Sequence, residues 1–187
     1  MLTEEQKKKI TEFAEKSVAG NDELHQMTHV SGVAEDALML AKKEHGDPEV
    51  CWTAAMLHDV VKSKPGDHGT EGSKIAERFL LELGLNKDFV EKVRDTIYWH
   101  NKPFSDGPIE RAILWDADKY QMIGIKGFED RIKICYINKP DIKPERIIED
   151  YYFYATRFHT KTGRAEVKKH EKVIEEHFAK LKAENSS

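Results

Sequence analysis

The apolar residues of this chain return at intervals of three and four, and no stretch alternates as a half-buried strand would. Val30, Val33, Ala34, Ala37, Leu38 and Ala41 follow the spacing of one helix face. Ile10, Phe13, Ala14 and Ser17 mark an earlier helix, opened by Thr3 with Gln6 three residues on, a capping-box pattern. The second helix stops near Gly46, and Asp47-Pro48 reads as the N-cap and first position of a third, with Val50, Ala54, Leu57 and Val61. Lys64 to Asp67 is a turn. Ile75, Ala76, Phe79, Leu80 and Leu83 form a fourth helix ended by Gly84, and Phe89, Val90, Val93 and Ile97 a fifth that runs to His100. After a loop from Asn101 to Pro108, Ile109, Ala112, Ile113 and Ala117 carry a sixth, with a break near Gly124 and Gly127. After a loop from Asn138 to Pro144 comes an aromatic helix with Ile147, Ile148, Tyr151, Tyr152, Ala155 and Phe158, broken at Thr162-Gly163. A charged helix from Arg164 to Ala183 follows, with a thin apolar stripe. The pattern predicts an all-α bundle of about eight helices packed ridges into grooves, one compact domain over residues 1–187.

The 187 residues suffice for one domain with a real core. The net charge of -4 and the absence of a basic stripe argue against duplex DNA as a partner. No 18-residue apolar run predicts a membrane span, and MLTEEQKKKI has no apolar core of a signal peptide. Cys51 and Cys135 stand far apart, as thiols of a reducing compartment do, so a cytoplasmic location is expected.

The chemistry concentrates in an ordered set: His29, the pair His58-Asp59, and the acidic knot Asp116-Ala117-Asp118. Imidazole nitrogens and carboxylate oxygens in this combination suit one divalent cation such as Mn, Mg, Zn, Co, Ni or Fe. A charged pair following the apolar run Ala54 to Leu57 is costly to bury without such a use. Asp116 and Asp118 lie about 200° apart on a helix, so one of them faces the ion. His25, four residues before His29 and on the same helix face, competes with it.

These pieces are similar to the HD-domain metal-dependent phosphohydrolases. The resemblance rests on His29-Val30-Ser31-Gly32-Val33, on Ala54-Ala55-Met56-Leu57-His58-Asp59-Val60-Val61-Lys62, and on Ile113-Leu114-Trp115-Asp116-Ala117-Asp118-Lys119. It runs from about residue 21 to 135, with a weaker echo from Thr160 to Glu184 that opens with Thr160-Lys161-Thr162-Gly163-Arg164, and residues 144–184 are expected to pack on that core. It implies His29, His58, Asp59 and Asp118 as metal ligands, leaving Asp116 as a supporting acid or cap. It also places His68 and His100 in the cleft, as ligands of a second metal or facing the substrate phosphate. Gly32 stands where the family often has arginine. The glutamate that follows the His-Asp pair in the 5′-deoxynucleotidase branch is absent, which speaks against that branch's mechanism.

The expected activity is hydrolysis of a phosphate ester or anhydride of a nucleotide-like small molecule by metal-activated water. Lys62 and Arg131 offer cationic contacts to the phosphate, and His68 or His100 a proton for the leaving oxygen. Two rivals stand beside it: a di-iron oxygenase that uses His68 and His100 as further ligands, and a non-catalytic nucleotide-binding module. Tyr151 to Tyr154 are expected in the core or on a dimer surface, and the stripe on the last helix permits a homodimer. His159, His170 and His177 are expected at the surface.

Overall fold

The computed structural model describes residues 1–21, 26–61, 67–124, 127, 129 and 144–184, with 144, 145, 181, 182 and 184 described by backbone alone. Among these it has eight helices and no strand. They are α1 (Glu4–Val18), α2 (Met27–Glu44), α3 (Pro48–Leu57), α4 (His68–Glu82), α5 (Lys87–Trp99), α6 (Ile109–Ile123), α7 (Pro144–Ala155) and α8 (Lys161–Glu184).

The ends of these helices follow local chemistry. Thr3 and Gln6 close the expected capping box on α1, each side chain accepting from the other's backbone amide. Asp47 caps α3 by accepting from the Glu49 and Val50 amides, with Pro48 where its missing N–H costs nothing. His45, at φ 60°, takes the left-handed conformation that ends α2, and Gly84 (φ 77°) follows α4 in the same region. The last break lies earlier than expected. The chain leaves helix at Thr156, and Thr160 caps α8 by accepting from the Gly163 amide at 2.8 Å, so Gly163 sits inside the first turn.

Helices α1 to α6 share one core, in which Ile10, Val33, Leu40, Leu57, Leu80, Ile97 and Leu114 are buried. Each such side chain contributes roughly 2 kcal/mol by leaving water. Helices α7 and α8 build a second cluster on the outer face of α6, where Trp115 and Ile123 meet Ile147, Tyr151, Phe158, Val167 and Ile174. Two apolar assignments shift. Leu38 is exposed while Leu40 is buried, because α2 packs against both α3 and α6 and its inner face turns with them. Tyr152 and Phe153 point outward, and only Tyr151 of that run is buried. Among the described residues no helix is long and apolar enough to cross a membrane.

Candidate metal centre

Five helices deliver polar side chains to one point in this core. His29 stands in the first turn of α2, His58 caps the C-terminus of α3 and Asp59 follows it. His68 opens α4, His100 caps the C-terminus of α5, and Asp118 projects from α6. His58, Asp59 and His100 are at most 1% exposed. The acid, Asp59, is central. Its Oδ2 lies 3.5 Å from His58 Nε2 and 4.0 Å from His29 Nε2. Its Oδ1 lies 3.8 Å from both His68 Nε2 and His100 Nε2. Asp118 Oδ1 joins the first group, 3.3 Å from His29 Nε2 and 3.9 Å from His58 Nε2. Two trios result, His29–His58–Asp59 and Asp59–His68–His100, each with ligand atoms within 4.8 Å of one another.

The donor set fits a metal ion. His58 Nδ1 donates to the Ala55 carbonyl at 2.7 Å, and His100 Nδ1 donates to the Ile97 carbonyl at 2.6 Å. A carbonyl only accepts, so in each neutral ring the proton sits on Nδ1 and the Nε2 lone pair faces the cluster. Both Nε2 atoms are buried, and neither makes a hydrogen bond among the described residues. Burial lowers the His58 pKa to about 4, against the opposing pull of Asp59 and Asp118, so the ring stays neutral and able to ligate. Separations of 3.3 to 4.0 Å are close to those of neighbouring ligands about 2.1 Å from one ion. A divalent cation suits two imidazoles with two carboxylates at the first position, and two imidazoles with the shared Asp59 carboxylate at the second.

Asp118 carries a neighbour that the motif did not assign. Lys119 Nζ lies 2.5 Å from Asp118 Oδ2, on the side away from His29. Burial pushes the Asp118 carboxyl up, but the Lys119 ammonium and the His29 hydrogen bond outweigh it and hold it well below the usual carboxylate range. The same ammonium lies 5.7 Å from the Trp115 ring and 5.6 Å from that of Tyr154. It faces a cavity of about 720 Å3 that also reaches His68.

Asp116 has a different task. Its Oδ1 accepts from the His159 amide at 2.8 Å, and its Oδ2 from the Thr160 amide at 2.8 Å and hydroxyl at 2.7 Å. Burial pushes this carboxyl up to about 6, and the three donated bonds limit the rise. Asp116 therefore ties the start of α8 to α6, which accounts for the Thr160-to-Arg164 motif as well. His68 is held from below: Asp67 caps α4 and accepts from Thr70, Lys102 and Asn101, and the Asn101 amide lies 3.3 Å from His68 Nδ1. Those donors, Thr70 first, hold the Asp67 carboxyl below its usual range. Lys62, Arg131 and His25 lie outside the described residues. His159 is not the surface residue expected. It stacks on Phe104 with centroids 4.2 Å apart and lines the cavity.

The chain belongs to the HD domain family, whose model matches residues 27–123, the stretch from α2 through α6. Among curated proteins it is similar to a bifunctional uridylyltransferase/uridylyl-removing enzyme of Azospirillum brasilense, 37% identical over 49 residues, which are 26% of this chain and 5% of that protein. The counterpart from Bradyrhizobium diazoefficiens is 37% identical over 68 residues, 36% of this chain and 7% of that protein. The match thus spans a small part of those relatives. Among solved structures, an HD-superfamily hydrolase of Bacillus thuringiensis superimposes with a TM-score of 0.78 at 20% identity, covering 99% of this chain and 100% of the other. Bacillus subtilis YpgQ in complex with ADP gives 0.76 at 20% identity, covering 96% and 95%. At these identities the likeness speaks to the fold.

Proposed function

We propose that this protein is a metal-dependent phosphohydrolase that cleaves a phosphate ester or anhydride of a nucleotide-like small molecule. The observation that carries the reading is the division of Asp59, with one carboxylate oxygen turned to His29 and His58 and the other to His68 and His100. His29, His58, Asp59 and Asp118 would hold the first ion, and Asp59, His68 and His100 provide a place for a second. A divalent cation bound there supplies an acidified water and polarisation of a phosphoryl oxygen.

The chain's own groups do the rest. Lys119 places a positive charge between Asp118 and the cavity, where it can hold a non-bridging phosphoryl oxygen. The Nδ1 bonds of His58 and His100 keep both rings in one orientation. His68 borders the cavity and is the histidine of the cluster placed to pass a proton to the leaving oxygen when it is not ligating. Lys62 and Arg131 remain proposed phosphate contacts. The substrate class draws support from the ADP complex of the similarly folded YpgQ and from the uridylyl-removing activity named for the curated relatives.

The second trio favours one alternative, a di-iron oxygenase that uses His68 and His100 as ligands. Elemental mass spectrometry of the purified protein, with a phosphate-release screen over nucleoside phosphates, separates the two. Release that disappears in Asp59→Ala supports the hydrolase. Two irons per chain, oxygen consumption and no phosphate release would overturn it.

A further inference from the structure

The cavity beside the cluster is poor in negative charge and rich in rings. Phe104, Trp115, Tyr154 and His159 line it, as do the cations Lys102, Lys119 and Arg157. Among its described lining residues there is no carboxylate, although the chain as a whole has a net charge of -4. Such a surface favours an anion that carries a flat apolar part. Lys119 marks the polar end on Asp118. Trp115 comes next, its ring centroid 5.1 Å from that of His159, and His159 stacks on Phe104. A ligand with its phosphate at the ions would lay its other end among these rings. At about 720 Å3 the cavity lies in the range of small-molecule sites.

Two polar side chains of the wall, Asn101 and Thr156, are turned to the protein itself. The Asn101 amide donates to Asp67 Oδ1, and its oxygen accepts from Lys102. The Thr156 hydroxyl donates back to the Tyr152 carbonyl at 3.2 Å. Rings that stack without edge contacts hold any base, whereas strong discrimination needs buried polar groups that the wrong ligand leaves unpaired.

We propose that Phe104, Trp115 and His159 form a nucleobase subsite that accepts purines and pyrimidines alike. The proposal rests on the reading above that the phosphate lies at the metal cluster. It also adds His159, beyond the matched stretch, and Phe104, within it, to the residues that hold the substrate.

The test is calorimetric titration of the Mn2+-loaded protein with AMP, UMP and ribose 5-phosphate, with phosphate release followed in parallel. AMP and UMP are expected to bind within about tenfold of each other, and each at least about tenfold tighter than ribose 5-phosphate. Phe104→Ala should close that gap by about tenfold, and Phe104→Trp should keep it open. Equal binding of all three ligands, or a gap unaltered in Phe104→Ala, overturns the subsite. AMP and UMP differing by more than a hundredfold overturns its tolerance of bases. Nucleotide-selective binding with no release of phosphate or pyrophosphate from nucleoside mono-, di- or triphosphates keeps the subsite and sinks the hydrolase reading. Phosphate release without nucleotide-selective binding does the reverse.

Discussion

Lys119 Nζ sits 2.5 Å from Asp118 Oδ2 and borders the cavity, so a single ammonium touches both the proposed metal ligand and the space for substrate. Removing that charge while keeping the stem tests which contact matters. Lys119→Met is expected to lower kcat/KM for phosphate release by about a hundredfold or more, the usual loss for one charge-stabilising donor, with metal content unaltered. If elemental analysis instead shows the metal gone, Lys119 acts through Asp118 and not on the phosphate.

The two faces of Asp59 predict an asymmetry among the ligands. Asp59→Ala should empty both positions. His68→Ala should empty one, because His68 belongs to the second trio alone. Metal per chain after equilibration with excess Mn2+ and desalting is the readout. Equal loss in both variants would mean a single shared ion.

Burial sets a pH dependence through His58. Its folded pKa of about 4 lies below the ordinary 6.5, so between these values the unfolded chain binds a proton that the folded chain does not. The stabilisation is present above about pH 6.5 and is lost as pH falls toward 4, a difference of about 3 kcal/mol for this group. Urea unfolding of metal-free protein at pH 7 and pH 5 should show about 2 kcal/mol of it. His58→Gln should show a shallower fall than the unmutated chain. Parallel pH slopes would count against a neutral buried His58.

A fourth prediction concerns Gly163. A Cβ there would stand within 2.4 Å of Asp116 Oδ2, an oxygen held by both the amide and the hydroxyl of Thr160. Neither side can give way easily, so Gly163→Ala should cost about 2 kcal/mol. Thermal unfolding reads the loss, and metal content should be retained because this joint lies apart from the ligand atoms.

Much of the fold is legible because it is written into helix ends. Asp47-Pro48 and the Thr3–Gln6 box mark starts that need no tertiary context, and the His58-Asp59 pair stands out because it follows an apolar run. Asp116 and Asp118 could be told to face different ways from helical geometry, but not what Asp116 does. Its partners, the His159 and Thr160 backbone amides, lie 43 and 44 residues away. His159 gives no local signal for the same reason, since only the return of the chain after α7 brings it against Phe104. Spacing alone places Leu38 inward, whereas the packing of α2 on two helices buries Leu40.

His58 and His100 each end a helix, and each ring is fastened to a carbonyl of its own last turn. The orientation of these two rings is therefore settled within α3 and α5, before any ion arrives. The centre behaves as a socket whose contacts are fixed to the frame, in contrast to a clasp that the ion must draw shut. Chelation should then empty the site while leaving the helical circular dichroism signal intact, and one cation should be exchangeable for another without passing through the unfolded chain.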